Sequence, residues 1–244
     1  MKRRIGKPLR PAPPETVPMI RVAGREVPVT VQRSSRARKM KIKVGAAQGI
    51  VLVLPRSVPL KTGYAFLQEQ RDWIAETAAA LPTPVVFADG ALVPLFGVDH
   101  VIRHVPEQRG FVWREAGCLY VAGESSHLPR RVTDWMKKEI RNHITDQAQR
   151  YADRLEVRIA GISVRDQTSR WGSCSSARRL NFSWRLIFMP ENVCHYVIAH
   201  EVAHLRHMNH SQEFWDTVTL LFGDSRQERR WLRENGAGVH RYGG

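Results

Sequence analysis

The chain has 244 residues, of which 43% are hydrophobic and 25% are charged, and its formal net charge is +15. These proportions are typical of a globular protein. The sequence has no apolar run long enough to cross a bilayer, and no apolar stretch follows the basic N-terminus. We therefore expect neither a membrane span nor a secretory signal. The three cysteines, Cys118, Cys174 and Cys194, are far apart in the sequence, which favours free thiols in the cytoplasm over a disulfide framework.

The positive charge is concentrated near the N-terminus. Residues 1–43 contain 13 lysines and arginines against two glutamates, which is a local net charge of +11. A basic surface attracts DNA or another polyanion, but a charged face that contacts only solvent would have the same composition. No recognised nucleic-acid module accompanies the charge, so the sequence leaves both interpretations open.

The first half of the chain has the pattern of short strands with one helix. Residues 1–18 are rich in proline and arginine and predict a flexible basic tail, and residues 19–125 predict a β-rich N-terminal domain. Residues 49–55 indicate a buried strand, residues 59–80 a helix, and residues 85–122 further short strands. Alternating apolar residues predict earlier strands at Val27, Val29 and Val31 and at Met40, Ile42 and Val44.

The second half is predicted to be mainly helical. The loop Gly123–Pro129 is the expected boundary of a catalytic domain over residues 126–244. Apolar residues at every third or fourth position from Val132 to Leu155 predict a long amphipathic helix. A β-hairpin is expected where Ile162–Val164 leads into Arg170–Cys174. Later helices are predicted over residues 190–207, over 211–223 and over roughly 225–234.

A strand is predicted over residues 180–188 from the alternation of apolar and polar side chains. Its outward face would carry Asn181, Ser183 and Arg185, and we expect these side chains to line a substrate cleft. The buried face would carry Leu180, Phe182, Trp184, Leu186 and Phe188.

The most informative segment is His200-Glu-Val-Ala-His204. On a helix, His200 and His204 lie one turn apart on the same face, where they can bind one zinc ion. Glu201 lies beside them, and its carboxylate can take a proton from a water molecule that the metal activates. Because the segment lies in a predicted helix with apolar residues around it, the pattern predicts a zinc-dependent hydrolase.

The third zinc ligand is either His207 or His210. We favour His210, because His207 would require one helix to place three ligands around one ion, whereas the chain can turn back once the helix has ended. His207 would then interact with the helix dipole. The spacing from His204 to His210 equals that of the metzincins. However, this chain has His207 in place of their glycine and no methionine after Met208, which excludes that family.

Arg170-Trp-Gly-Ser-Cys174 is a second unusual segment. We interpret it as a tight turn in which Gly172 allows a positive φ, although Arg170 near the metal would also stabilise a developing oxyanion. Cys174 is not expected to be a ligand, since three histidines complete the protein's share of the site. Tyr196 is expected to pack in the core, with a hydrogen bond to a reaction intermediate as the alternative. An aromatic stack behind the metal helix is expected from Phe214, Trp215 and Trp231.

Together these segments resemble the bacterial YgjP-like, or DUF45, family of predicted metal-dependent hydrolases. That family is similar to SprT-like and WLM proteases in its C-terminal minimal zincin domain. The resemblance covers residues 27–234 and is strongest over 130–232. It departs at His207, where an acidic or polar residue is common, and at Gly223, where proline is common. The resemblance is carried by Arg170–Cys174, Asn181, Trp184, Tyr196–Val197, His200–His204, Asn209–Ser211 and Phe214–Trp215.

The resemblance implies an α+β fold. A β-rich N-terminal half with one helix would pack on a C-terminal zincin made of a long helix, a β-hairpin, the metal-binding helix and closing helices. It also implies that His200, His204 and His210 bind Zn²⁺ and that Glu201 is the general base. The implied activity is that of a metallopeptidase whose partner is a protein or peptide substrate.

Three functions remain compatible with the sequence. The first is a peptidase for unstructured protein, including protein attached to DNA, which would suit the basic N-terminal half. The second is a metal-dependent hydrolase of a non-peptide substrate such as a nucleoside triphosphate, which a second-metal carboxylate cluster would favour. The third is a non-enzymatic nucleic-acid-binding protein with a structural zinc. Glu201 argues against the third, because a structural site needs no base.

Overall fold

The structure is a computed structural model that describes residues 15–22, 25–45, 49–81, 83–167 and 169–243. It contains helices and several sheets, which confirms an α+β fold. The chain divides into two compact units, one ending at residue 82 and the other beginning at Thr83. All three cysteines are free thiols, as predicted. No helix within the described ranges is long and apolar enough to span a membrane.

Within its described residues, the first unit has a four-stranded sheet and two helices: β1 (Glu15–Val22), β2 (Arg25–Ser34), β3 (Lys41–Gly45), β4 (Gly49–Pro55), α1 (Leu60–Glu69) and α2 (Arg71–Ala80). The strand order is β1-β2-β4-β3, with β2 and β4 parallel and the outer pairs antiparallel. Helix α1 lies close to β4. A Cβ added at Gly63 of this helix would come within 2.9 Å of the side chains of Leu52 and Leu54. The sheet and the helices thus share one apolar core.

Two segments of this unit differ from their predictions. The helix predicted over residues 59–80 is two helices, because Gln70 between them has φ −95° and ψ 12°. The carbonyl oxygen of Gln70 nevertheless accepts a hydrogen bond of 2.9 Å from the backbone N–H of Ile74, so α2 begins at once. Of the predicted tail, residues 1–14 lie outside the described residues, and residues 15–18 belong to β1.

The described part of the second unit contains two small sheets and four α-helices: β5 (Leu92–Leu95), β6 (Val98–His104), β7 (Val112–Glu115), β8 (Cys118–Val121), α3 (Leu128–Arg154), β9 (Gly161–Arg165), β10 (Gly172–Cys174), β11 (Arg179–Ser183), α4 (Glu191–Ala203), α5 (Gln212–Phe222) and α6 (Arg226–Val239). The first sheet has the order β5-β6-β8-β7, and the second has the order β10-β11-β9. The long helix α3 follows its prediction closely, because its apolar residues repeat at helical spacing along one buried face.

One continuous apolar core unites the second unit. Val93, Ile102 and Leu119 from the first sheet belong to the same core as Met136 and Ile140 from α3. The domain boundary expected between residues 125 and 126 therefore falls inside this unit. The loop that suggested the boundary is a connection between a sheet and the helix that covers it, and the shared apolar surface joins its two sides.

The strand predicted over residues 180–188 is correct only for its first part. β11 ends at Ser183, and Trp184–Phe188 form a 3₁₀ helix in which all five residues are buried. Ser183 is fully buried, and Arg185 is 3% exposed and paired with Asp166. The expected outward face is therefore wrong for these two residues, because this segment is enclosed on all sides. The hairpin is formed by β10 and β11, whereas β9 pairs with β11 in parallel, so the hairpin expected between β9 and β10 is also wrong.

Candidate metal centre

The helix that carries the His-Glu-x-x-His segment ends earlier than the sequence predicts. Helix α4 ends at Ala203, and His204 is the residue that caps it. The next turn is tighter, since the backbone N–H of Arg206 donates a hydrogen bond of 3.0 Å to the carbonyl oxygen of Ala203. The chain then leaves the helix axis, which allows His210 to return toward the two helical histidines.

The imidazoles of His200, His204 and His210 converge, with one potential ligand atom of each within 4.8 Å of the others. The Nε2 atoms of His200 and His210 are 3.2 Å apart. Two nitrogens bound to one tetrahedral zinc ion lie about 3.3–3.4 Å apart, so this pair fits such an ion. Nδ1 of His204 lies 2.9 Å from the carbonyl oxygen of His207, a hydrogen bond that leaves Nε2 free as a ligand. The donor set and its spacing thus fit a divalent metal.

The structure places His207 and His210 differently with respect to the other two histidines. The structure brings His210 into the cluster, whereas His207 contributes its backbone carbonyl to the orientation of His204. Burial is the largest cause that lowers the pKa of His200, to about 4, with the neighbouring His204 and His210 acting in the same direction. The imidazole is therefore neutral at physiological pH, which is the form that binds a metal.

Glu201 lies on the same helix as the first two histidines, and its side chain is buried, with 6% of the residue exposed. Burial raises the pKa of its carboxyl group from 4.5 to about 7. The Arg170 guanidinium and a hydrogen bond from the backbone N–H of Cys174 act in the opposite direction and favour the charged form. A carboxylate with a pKa near neutrality can both accept and release a proton.

Gly172 has a different role from the one that the sequence suggested. It lies within β10, opposite Phe182 of β11, and it is not among the residues with positive φ. A Cβ at this position would lie 2.5 Å from Cγ and 2.6 Å from Oε1 of Glu201. Glycine is therefore required by the close approach of the Glu201 side chain rather than by a turn. A glycine within a strand can signal such an approach, but the sequence does not identify the neighbour.

An aromatic side chain supports the three imidazoles from one side. Phe214 of α5 is fully buried, and its ring centroid lies 4.9, 4.5 and 4.7 Å from those of His200, His204 and His210. Trp215 lies next to it, 5.1 Å from Phe214 between ring centroids. These contacts confirm the expected aromatic packing for Phe214 and Trp215, and Trp231 packs, partly buried, against the apolar core of this unit.

The remaining residues singled out in the sequence lie at different distances from the centre. Tyr196 is 6% exposed, with its ring 6.0 Å from that of His200, so it packs in the core as expected. Burial raises the pKa of its hydroxyl group. Asn181 accepts a hydrogen bond of 2.6 Å from the Ser163 hydroxyl group and lines a surface cavity together with Arg165. The three histidines do not line that cavity, so the structure does not bring Asn181 into the centre.

The comparisons with known proteins agree with this geometry. The YgjP-like metallopeptidase domain matches residues 38–235. The chain belongs to the YgjP-like metallopeptidase family. Membership of the YgjP-like family supports hydrolase activity that depends on a divalent metal, with peptides as substrates. It gives no support to DNA binding, so binding of a polyanion through residues 1–43 stays a prediction.

Other comparisons add little to the family assignment. One solved structure, that of the metallopeptidase zymogen abylysin of Pyrococcus abyssi, is similar, with 21% sequence identity and a TM-score of 0.34. The similarity covers 38% of this chain and 92% of the abylysin chain. No curated protein matches the sequence.

Proposed function

We propose that this YgjP-like protein is a zinc-dependent peptidase in which His200, His204 and His210 hold Zn²⁺ and Glu201 is the general base. The observation that carries the proposal is the convergence of three imidazoles next to a buried carboxylate whose pKa is raised to about 7. Three nitrogen ligands suit zinc, and they leave one tetrahedral position for water or substrate. That arrangement is typical of a catalytic site.

The chemistry divides between the ion and the protein. When bound, zinc polarises a carbonyl group and lowers the pKa of water. Glu201 takes the proton of the attacking water and passes it to the leaving amine. The Arg170 guanidinium favours the ionised form of Glu201, which is the form that accepts the proton. Gly172 allows the carboxylate to occupy this position.

The substrate is proposed to be an extended peptide that pairs with β10. This strand is at the edge of its sheet, and an edge strand presents backbone N–H and C=O groups that can pair with another chain. A Cβ at Gly172 of β10 would lie 2.6 Å from Oε1 of Glu201, so the base lies next to β10. A peptide added along this strand would have its backbone within reach of the base.

The wider arrangement is proposed to be a minimal zincin over residues 126–244, within the second unit. Its parts are the long helix α3, the β10–β11 hairpin, the metal helix α4 and the closing helices α5 and α6. Support for the proposal comes from their order along the chain and from the common apolar core that they share.

The experiment that tests the function compares the zinc-loaded protein with its Glu201→Gln and His204→Gln variants. Each is mixed with a disordered polypeptide and, separately, with nucleoside triphosphates, and the products are identified by mass spectrometry. The native protein is expected to create new peptide termini. Glu201→Gln is expected to keep zinc and to lose about 10²–10⁴-fold in cleavage rate, whereas His204→Gln is expected to lose the ion of this centre and, with it, the activity.

The results for the two variants distinguish which part of the proposal is wrong: the general base, the substrate class or the zinc ligands. Cleavage by Glu201→Gln at the native rate would show that Glu201 is not the base. Loss of a triphosphate without new peptide termini would replace the peptidase proposal with a nucleotide hydrolase. Full zinc binding by His204→Gln would show that the ion is held elsewhere.

A further inference from the structure

Among the described residues, a second group of potential ligands lies on α3 and α4. His143 of α3 and Glu191 and His195 of α4 each offer one ligand atom within 4.8 Å of the others. Glu191 and His195 are four residues apart on α4, so they lie on one helix face. His143 is 52 residues from His195 in the sequence, and only the packing of α3 against α4 brings them together.

The geometry of this group resembles that of the candidate catalytic site. The Nε2 atoms of His143 and His195 are 3.0 Å apart, compared with 3.2 Å for His200 and His210. The ring centroids are 5.0 Å apart in the first pair and 5.1 Å apart in the second. Both nitrogen distances are close to the value of about 3.3–3.4 Å expected around tetrahedral zinc.

The carboxylate completes a three-ligand set. Oε1 of Glu191 is 4.0 Å from Nε2 of His195. The Glu191 side chain is 59% exposed, so it is free to move the roughly 0.7 Å that separates this distance from the spacing expected around zinc. The ring of Phe96 packs against that of His143, with 4.5 Å between the ring centroids, and limits the rotation of the imidazole. Two imidazoles and a carboxylate form a common donor set for zinc.

The second group is separate from the candidate catalytic site, although both use α4. His195 and His200 are five residues apart, so on a regular helix they are separated by about 140° around the axis and about 7.5 Å along it. With that separation the two groups do not bind one common ion, and they do not form a two-metal site, in which the ions lie about 3.5–4 Å apart. The second group lies in the first two turns of α4, where that helix meets α3.

We propose that His143, Glu191 and His195 form a second binding site for a divalent transition-metal ion, which fastens the N-terminal half of α4 to α3. The proposal does not depend on the proposed peptidase function. The ion would hold the two helices together at a point remote from the reaction, so its expected effect is on stability. Without an ion, the two imidazoles can share one hydrogen bond, which is the competing explanation of their short separation.

The test is a titration of the metal-free protein with Zn²⁺, followed by native mass spectrometry. The native chain is expected to bind two ions, the His143→Gln and His204→Gln variants one each, and the double variant none. His127→Gln is the matched control, because His127 also lies near a glutamate, with 3.9 Å between its Nε2 and Glu124 Oε2, and it should leave both ions bound. An ion count that is the same for His143→Gln as for the native chain would overturn the proposal, whatever the first site binds.

Two further measurements keep the test independent of folding and of the first site. Glu191→Gln changes an exposed residue, so it should leave the fold intact. It should lower the affinity of the second site for its ion by roughly tenfold or more. Asp72→Asn, an exposed acidic residue in the first turn of α2, is its control. Zinc should raise the melting temperature of His204→Gln but not that of the double variant. An equal rise in both would show that the second group does not bind the ion.

Discussion

Replacing Glu201 by glutamine is expected to stabilise the metal-free protein at alkaline pH and to have almost no effect at acidic pH. The side chain is buried, and burial holds its pKa at about 7 in the folded protein against an ordinary value of 4.5. At high pH the native protein must therefore keep a buried negative charge that the unfolded chain exposes to water. Glutamine removes the charge, and its side-chain oxygen still accepts the hydrogen bond from Cys174.

The size and the pH range of the effect follow from those two pKa values. A change from 4.5 to about 7 corresponds to about 3 kcal/mol of unfolding free energy. Below pH 4.5 both states carry the proton, so no stability is lost. As the pH rises from 4.5 to about 7, the unfolded carboxyl group ionises first, and the native protein loses stability until both states are ionised. The advantage of Glu201→Gln should grow through this interval and then stay constant.

The assay is urea denaturation in the presence of a chelator, at a series of pH values from about 4 to 8.5. Tryptophan fluorescence suits it, because six of the seven tryptophans lie after residue 82 and only Trp73 lies before it. Glu107→Gln, at an exposed loop position, is the control and should be indistinguishable from the native protein. If Glu201→Gln gained no stability between the two ends of the pH range, the argument that burial raises this pKa would be wrong.

Two further substitutions test the packing around the centre. Gly172→Ala is expected to lower the rate of peptide cleavage about 100-fold with zinc still bound, because its Cβ would lie 2.5 Å from Cγ of Glu201 and displace the carboxylate. Gly161→Ala in β9 is the control, since its Cβ would meet one side-chain nitrogen at 3.4 Å, and equal rates for the two variants would contradict the reasoning. Phe214→Ala is expected to reduce the unfolding free energy by about 3–5 kcal/mol and to weaken zinc binding, because it removes the ring behind the three imidazoles. Leu220→Ala on the same helix, 58% exposed, should change stability little, and a similar loss in both variants would refute a special role for Phe214.

The parts of the fold that the sequence predicted well depend on local periodicity. The long helix α3 was expected because its apolar residues recur at helical spacing, and that spacing places them on one face whatever they contact. The residues of the 3₁₀ helix Trp184–Phe188 alternate in a way that predicts a strand. Alternation identifies a strand only when one of its faces is solvated. Here all five residues are buried, so the alternation carries no information about which face is outside. The break at Gln70 between α1 and α2 also lacks a sequence signal such as proline or glycine.

The residues of the candidate metal centre also fall into two kinds: those that local spacing associates and those that only tertiary packing brings together. His200, Glu201 and His204 are near one another because they share a helix, so their spacing was enough to associate them. His210 was a choice between two positions, and the turn after Ala203 decides which histidine returns to the cluster. Gly172 approaches Glu201 from a strand almost thirty residues earlier in the chain, and no local pattern relates the two.

The sequence by itself determined the family to which this protein belongs and the His-Glu-x-x-His segment that supplies two of the candidate ligands and the candidate base. Only the tertiary structure decided how the carboxylate is buried, where the edge strand lies and that His143 meets His195. The physical reason is the range of the interactions. Residues three or four positions apart on a helix are neighbours by backbone geometry alone, whereas contacts across more than ten residues depend on how whole helices and sheets bury their apolar faces.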